Sequence, residues 1–352
     1  MPHVVQFSAV REVELVETEA QPLIPGSVRI ATWYSGISAG TELTAYRGTN
    51  PYLTSTWDAE RRLFVPGEPS FGYPVSGWGY SEVGEVVEVA ADVTDVRVGD
   101  VVHGIWGHRS DAVVPAAAVA GRAVPDGVDP VLGTFARVGA IALNGVLAAD
   151  VRLGEQVAVF GQGVIGLLAT RLATLAGGRV IAVDTLASRL AMATAFGAVH
   201  AVDALRPGGA GEMIRELTGG GADSAIELSG TDRALHEAIR AVVTEGLVAA
   251  SGFYQGGAAN LRLGEEFHHN RVRIVASQIS GVPVELGGRW NQARLVRTVM
   301  GLVFGGEIDA GALVSDVVPA AEVAGVFERL DEGDPEILQA VLRFDAAPER
   351  AR

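Results

Sequence analysis

Along roughly the first 130 residues, apolar positions come in short runs such as "SVRIATWY", "VGEVVEVA" and "DAVVPAAAV". β-Branched residues dominate these runs, and "PG", "SG" and "VGD" separate them. That pattern predicts strands joined by turns, in a small barrel or sandwich. From about residue 133 the period changes. "TFARVGAIALNGVLAA" has helical spacing, "QVAVF" reads as a buried strand, and "VIGLLATRLATLAGG" as a helix closed by glycines. Strand-like "RVIAVD", "AVDA", "SAIELSG", "LVAASG" and "RIVASQISG" then alternate with helical "ASRLAMATAFGA", "AGEMIRELTGG" and "RALHEAIRAVVTEG". Such alternation predicts an α/β unit with a doubly wound parallel sheet over residues 133–285. From about residue 286 the pattern returns to a helix, "RLVRTVMGLVFGG", and a strand-like "ILQAVLRFD".

With 352 residues the chain has room for two domains. A net charge of −15 denies it the basic footprint of a nucleic-acid binder and disfavours an anionic membrane surface. The start, "MPHVVQFSAVREVELVE", lacks a charged segment followed by an apolar one, so no signal peptide is expected. The longest apolar stretch, Val157 to Ala176, is interrupted by Arg171 and a glycine turn, so no membrane span is expected. The expected location is the cytoplasm. Two absences restrict the chemistry. Without Cys there is no thiolate nucleophile, disulfide or Cys-ligated zinc. Without Lys there is no Schiff base and no lysine acid or base.

"GQGVIG" (161–166) follows a buried strand and precedes a helix. In a dinucleotide site one glycine makes the turn, one admits the pyrophosphate, and one lets helix and sheet pack closely. Gly161, Gly163 and Gly166 have that spacing, with Val164 and Ile165 between them. The next strand ends in Asp184, where a carboxylate accepts hydrogen bonds from an adenosine ribose and repels a 2′-phosphate. This favours NAD over NADP, although Arg189 could reach a phosphate, and an Asp at 184 also suits a plain helix cap. Ser229 and Gly252, after later strands, complete the expected cofactor contacts.

The order of segments resembles the medium-chain dehydrogenase/reductase superfamily over nearly the whole chain. "GISAGTEL" (36–43), "GYSEVGEVVEVA" (79–90), "VGDVV" (98–102), "GADSAIELSG" and "SQISG" carry the resemblance. It implies a GroES-like catalytic domain at 1–132, completed by 286–352, and a Rossmann domain at 133–285. It also implies a homo-oligomer, a dimer or tetramer. Where zinc-dependent members place their ligands, this sequence has Ser38, Tyr80, Ser81 and Arg137. Those side chains do not replace thiolate and imidazole. The expectation is therefore an enzyme without zinc, similar to bacteriochlorophyllide-type and biosynthetic dehydrogenases.

Without a metal, hydrogen-bond donors must handle the substrate oxygen. The resemblance places Tyr80 at a former ligand position. Its phenol could donate a hydrogen bond or, with a lowered pKa, act as a base. Arg137 could lower that pKa, hold an anionic substrate, or form an ion pair. Thr41 could relay a proton, though it lies three residues past Ser38 where the family's relay hydroxyl lies two past its Cys. Ser38 could be a small filler. His108 could be the acid–base group or a structural histidine. Tyr46, Trp106, Tyr254 and Trp290 are candidate pocket walls. The expected activity is hydride transfer between NAD and a secondary alcohol or ketone of a polar small molecule, such as a sugar or cyclitol. Alternatives are an NADPH-dependent quinone or enoyl reductase, a redox-neutral epimerase or eliminase, and a non-catalytic nicotinamide-binding protein.

Overall fold

In the computed structural model, which describes residues 1–348, the β-branched runs form strands. They are β1 (His3–Ala9), β2 (Glu12–Glu17), β3 (Ser27–Gly36), β4 (Ser55–Asp58), β5 (Leu63–Pro66), β6 (Val75–Ser76), β7 (Glu82–Val89), β8 (Val101–Gly104) and β9 (Asp111–Pro115). One helix lies among them, α1 (Ala39–Tyr46). Helix α2 (Ala136–Ala148) opens the alternating series: β10 (Gln156–Phe160), α3 (Val164–Leu175), β11 (Arg179–Asp184), α4 (Ala187–Ala195), β12 (His200–Asp203), α5 (Gly209–Thr218), β13 (Ala222–Glu227), α6 (Asp232–Ala241), β14 (Val242–Ala250) and β15 (Arg273–Ala276). Then come α7 (Gln292–Phe304), β16 (Val314–Pro319), α8 (Val323–Glu332) and β17 (Gln339–Arg343).

Two compact units result, Met1–Arg137 with the segment from Asp309, and Val138–Ile308. In the first, a sheet of order β16-β17-β3-β7-β8 takes β17 antiparallel to β3, so the late strand completes the early domain. The paired β1–β2 and the helices α1 and α8 enclose a core that includes Phe7, Leu43, Tyr46, Phe327 and Leu342. A second core around Val28, Ile30, Val86 and Trp106 fills the other side.

The second unit is a parallel sheet of order β12-β11-β10-β13-β14-β15. Its central strands β10 and β11 are near-continuous buried apolar runs, as a parallel sheet covered on both faces requires. Strand order reverses between β10 and β13, and in doubly wound sheets the ligand crevice opens there, beyond the strands' C-terminal ends. The apolar stretch 157–176 is shared between β10 and α3, with the glycine turn between them. The helical stretch Pro130–Ala148 is long and apolar enough to cross a bilayer, but it is mostly buried inside the protein.

Three expectations need adjusting. The second unit extends to Ile308, not 285, because α7 packs on α2: a Cβ added at Gly139 would lie 2.4 Å from Val299 Cγ1. At the other boundary, the division falls after Arg137 in place of 132. And "VVTEG" is not the end of a helix. Val242 already pairs with Ala222, and the register shifts before Ser224 meets Leu247, with Glu245 at φ 61°.

Candidate active site

The glycine turn divides its labour as the motif requires. Gly161 adopts φ 84°, a conformation that favours glycine. A Cβ added at Gly166 would lie 1.8 Å from the Gly161 carbonyl oxygen, so the helix start sits directly against the turn. Gly163, the N-cap of α3, faces open space, which leaves room for a phosphate at the helix N-terminus. Val164 and Ile165 form the first turn of α3. Gln162 is fully buried, and its amide donates to the Val159 carbonyl at 2.8 Å and accepts from Thr170 Oγ1 at 2.9 Å. It pins the turn to both neighbouring elements. Gly166→Ala is expected to weaken dinucleotide binding about tenfold or more, because α3 must tilt off the turn; isothermal titration measures it.

A cavity of about 990 Å³ opens beside the turn and is bounded by Gly161, Gly163, Asp184 and Ser229. The Asp184 carboxylate accepts Gln162 N–H at 2.6 Å on Oδ2 and Leu186 N–H at 2.9 Å on Oδ1. Each oxygen keeps a lone pair for a ribose hydroxyl; Asp184 is not the helix cap, since Leu186 is the N-cap of α4 and Asp184 holds the loop before it. Arg189 lines the same cavity, together with Arg233 and Arg262, which the sequence reading missed. Gly252 instead packs on the neighbouring loop: an added Cβ would lie 2.5 Å from Gly230 N. The residues present thus fit a dinucleotide. His236, Glu265 and Glu266 also converge, with ligand atoms within 4.8 Å of one another, but Arg240 pairs with Glu266.

In the first unit, Ser38, Thr41 and Tyr80 meet. Tyr80 Oη shares a hydrogen bond with Ser38 Oγ and donates to Thr41 Oγ1 at 3.2 Å. The three-residue spacing works because Ser38 opens α1, and residues three apart share a helix face. Burial raises the Tyr80 pKa, more than its hydrogen bonds with Ser38 and Thr41 and the nearby Arg137 lower it. The phenol is therefore a proton donor at neutral pH, and the lowered-pKa base considered from the sequence is not what the site provides. Arg137 is itself half-buried and its own pKa is lowered by desolvation. Three hydroxyls and a guanidinium offer zinc neither thiolate nor imidazole, so Ser38, Tyr80, Ser81 and Arg137 do not fit the metal.

Beneath this cluster runs a buried network. Glu42 Oε1 accepts the Ser38 N–H at 2.8 Å, and Glu42 Oε2 lies 2.7 Å from His108 Nε2. His108 Nδ1 lies 2.6 Å from Ser35 Oγ, which donates to Glu82 Oε1 at 3.1 Å. Glu82 Oε2 accepts Trp106 N–H at 2.7 Å. Both ring nitrogens of the fully buried His108 are engaged, so it holds α1 and acts through Glu42 rather than touching a ligand. Glu42, Glu82 and Ser35 were missed because nothing local marks them; they lie 66, 26 and 73 residues from His108, counted on the residue numbers.

Two proposed pocket walls belong to the core instead. Tyr46 is buried against Phe327, ring centroids 5.6 Å apart. Trp106 is buried with its indole N–H donated to Thr32 Oγ1 at 2.9 Å. Large aromatics bury most of their area where a core is available, and the Trp106 indole found a polar partner inside it. Tyr254 donates its hydroxyl to Glu227 Oε2 at 2.5 Å, and Trp290 lies under Arg294, 4.3 Å from the guanidinium carbon to the ring centroid.

A family model described as Zinc-binding dehydrogenase matches residues 164–292. That span lies in the second unit and contains none of the positions 38, 80, 81 or 137. The chain is 31% identical over 337 residues to D-guloside 3-dehydrogenase of Escherichia coli strain K12, covering 94% of this chain and 96% of that protein. It is 26% identical to 2-desacetyl-2-hydroxyethyl bacteriochlorophyllide A dehydrogenase of Cereibacter sphaeroides, covering 97% of each. Its fold matches the crystal structure of 2R,3R-butanediol dehydrogenase from Bacillus subtilis with a TM-score of 0.78 at 22% identity, over 97% of this chain and 99% of that one. The architecture is a GroES-like unit joined to a Rossmann unit.

Proposed function

Because this chain belongs to the medium-chain dehydrogenase/reductase superfamily and is an oxidoreductase, we propose that it is a zinc-independent, NAD-dependent dehydrogenase acting on a secondary alcohol or ketone of a polar small molecule. The observation that carries this reading is the Tyr80–Ser38–Thr41 cluster, whose positions 38 and 80 are ones the sequence resemblance matches to ligand positions of zinc-dependent members. A bound dinucleotide supplies or accepts the hydride. In the reductive direction Tyr80 gives its proton to the substrate oxygen, and Ser38 then donates to the phenolate left behind. Glu42 and His108 hold α1 so that both hydroxyls stay on Tyr80. A sugar, glycoside or cyclitol is the favoured substrate class, since the relative above is named for dehydrogenating a guloside at position 3.

The test is turnover with NAD and NADP against a panel of glycosides, sugars and cyclitols, followed at 340 nm, with metal analysis of the same protein. Activity that survives chelation in protein without stoichiometric zinc supports the reading, and one zinc per chain with loss on chelation ends it. Cofactor choice has its own check. NAD is expected to bind more tightly than NADP, and Asp184→Ser to narrow that preference about tenfold by removing the repulsive carboxylate. Tighter NADP binding by the wild type would instead assign Arg189, Arg233 and Arg262 to a 2′-phosphate. We also propose a homo-oligomer, a dimer or tetramer, built through the edge strand β15; light scattering on the purified protein decides it.

A further inference from the structure

One buried carboxylate is not used by the reading above. Glu227 ends β13 opposite Phe160, the last residue of β10, so it stands where strand order reverses. Four donors converge on it. Oε1 accepts Ser229 N–H at 2.7 Å and Ser229 Oγ at 2.5 Å. Oε2 accepts Gly230 N–H at 3.2 Å and Tyr254 Oη at 2.5 Å. The Glu227 carbonyl accepts the N–H groups of Ser251 and Gly252, each at 2.9 Å. A single residue thereby ties the loop after β13 to the loop after β14. The glycines at 230 and 252 make that closeness possible, since a Cβ at 252 would lie 2.7 Å from Glu227 Oε2.

Four donors occupy the four lone-pair directions of a carboxylate. A carboxylic acid would need the Ser229 or the Tyr254 hydroxyl to turn and accept its proton. Burial pushes the Glu227 pKa upward, more than these hydrogen bonds pull it back, and no cation is among the groups that act on it. In its ionised form the carboxylate is held by these hydrogen bonds.

A dinucleotide laid across a doubly wound sheet places one half on each side of the reversal. Asp184, on β11, takes the adenosine half on the reading above, so the nicotinamide half falls on the β13–β14 side. The nicotinamide is the part whose charge changes in the reaction. It is positive when oxidised and neutral when reduced.

We propose that the Glu227 carboxylate, latched by the Tyr254 hydroxyl, selects the redox state of the cofactor by favouring the positively charged oxidised dinucleotide over the reduced one. This rests on the dinucleotide reading of the second unit. A buried anion attracts a nearby positive ring far more strongly than the same pair would interact in water, while a neutral ring gains nothing. Tyr254 keeps the charge in place, because losing a donor favours the protonated carboxyl. NADH then leaves more readily than NAD, which assists turnover in the oxidative direction.

The test compares dissociation constants of NAD, NADH and ADP-ribose, which lacks nicotinamide, for the wild type, Glu227→Gln and Tyr254→Phe. For Glu227→Gln, NAD is expected to weaken about tenfold relative to NADH, with ADP-ribose unchanged. Tyr254→Phe should move the NAD:NADH ratio in the same direction by about threefold. Unchanged ratios in both variants with ADP-ribose still bound overturn the proposal. If Glu227→Gln does not fold, the Tyr254→Phe ratio alone decides. A wild-type protein that binds none of the three ligands would overturn the dinucleotide reading itself, a different result from an unchanged ratio.

Discussion

Tyr80→Phe is expected to lower reductive kcat about 10²–10³-fold while leaving the dinucleotide dissociation constant unchanged. On the proposed reading the phenol donates the proton to the substrate oxygen, and phenylalanine keeps the ring but removes that proton. Half-buried, with Ser38 and Thr41 on its oxygen, Tyr80 has few alternatives that could substitute for it. Burial is the largest influence on its pKa, and the charge of Glu42 adds to it, so the net shift is upward from 10. The proton therefore stays on through neutral and mildly alkaline pH. Reductive kcat in the wild type should be flat from pH 7 to about 10 and fall only above that. Steady-state kinetics over that range check both statements. A phenylalanine variant within about twofold of the wild type would remove Tyr80 from the chemistry.

The second large effect concerns stability. His108→Ala is expected to cost about 3–5 kcal/mol, because Glu42 would remain buried with its charge no longer paired. Chemical denaturation followed through the first unit's transition measures it. The pH dependence gives a sharper signature. Desolvation lowers the His108 pKa, but Glu42, through charge and a hydrogen bond, and then Glu82 outweigh it, and the net shift is upward. A raised folded value means stabilisation that is complete below the unfolded value of about 6.5 and lost as pH climbs through the folded value. Burial also raises Glu82, whose contribution falls in the same direction. His103 behaves oppositely. Burial, with Arg122 nearby, holds it at about 4, so its contribution is complete above about 6.5 and lost as pH falls toward 4. A depression of that size is worth about 3 kcal/mol. On the two histidine contributions alone, unfolding free energy should therefore peak near pH 6.5, with the raised Glu82 adding a decline that begins lower, from about 4.5. His108→Gln should remove the alkaline decline and His103→Gln the acidic one. A pH profile unchanged by either substitution would refute this account.

Much of the fold was legible because it is set by local period. β-Branched runs bounded by glycine turns became β3, β7 and β9, and the apolar runs with helical segments between them became the parallel sheet. The short α1 escaped notice: "AGTELTAY" includes a glycine and two threonines, which are weak helix formers, and packing against α8 holds it. The boundary at 308 was also hidden, since α7 looks like any amphipathic helix and only its contact with Gly139 assigns it to the second unit.

By itself, the sequence determined the glycine turn, the Asp184 carboxylate that follows it, and the absence of thiol and imidazole at Ser38, Tyr80, Ser81 and Arg137. These depend on which residue types stand at fixed short spacings, and the chain carries such information directly. The tertiary structure decided the rest. It moved Tyr46 and Trp106 into cores, seated His108 between Ser35 and Glu42, and brought Tyr254 onto Glu227. The reason is physical. A buried polar side chain must find partners wherever the fold provides them, and those partners lie up to 73 residues away for His108, at distances no local pattern records.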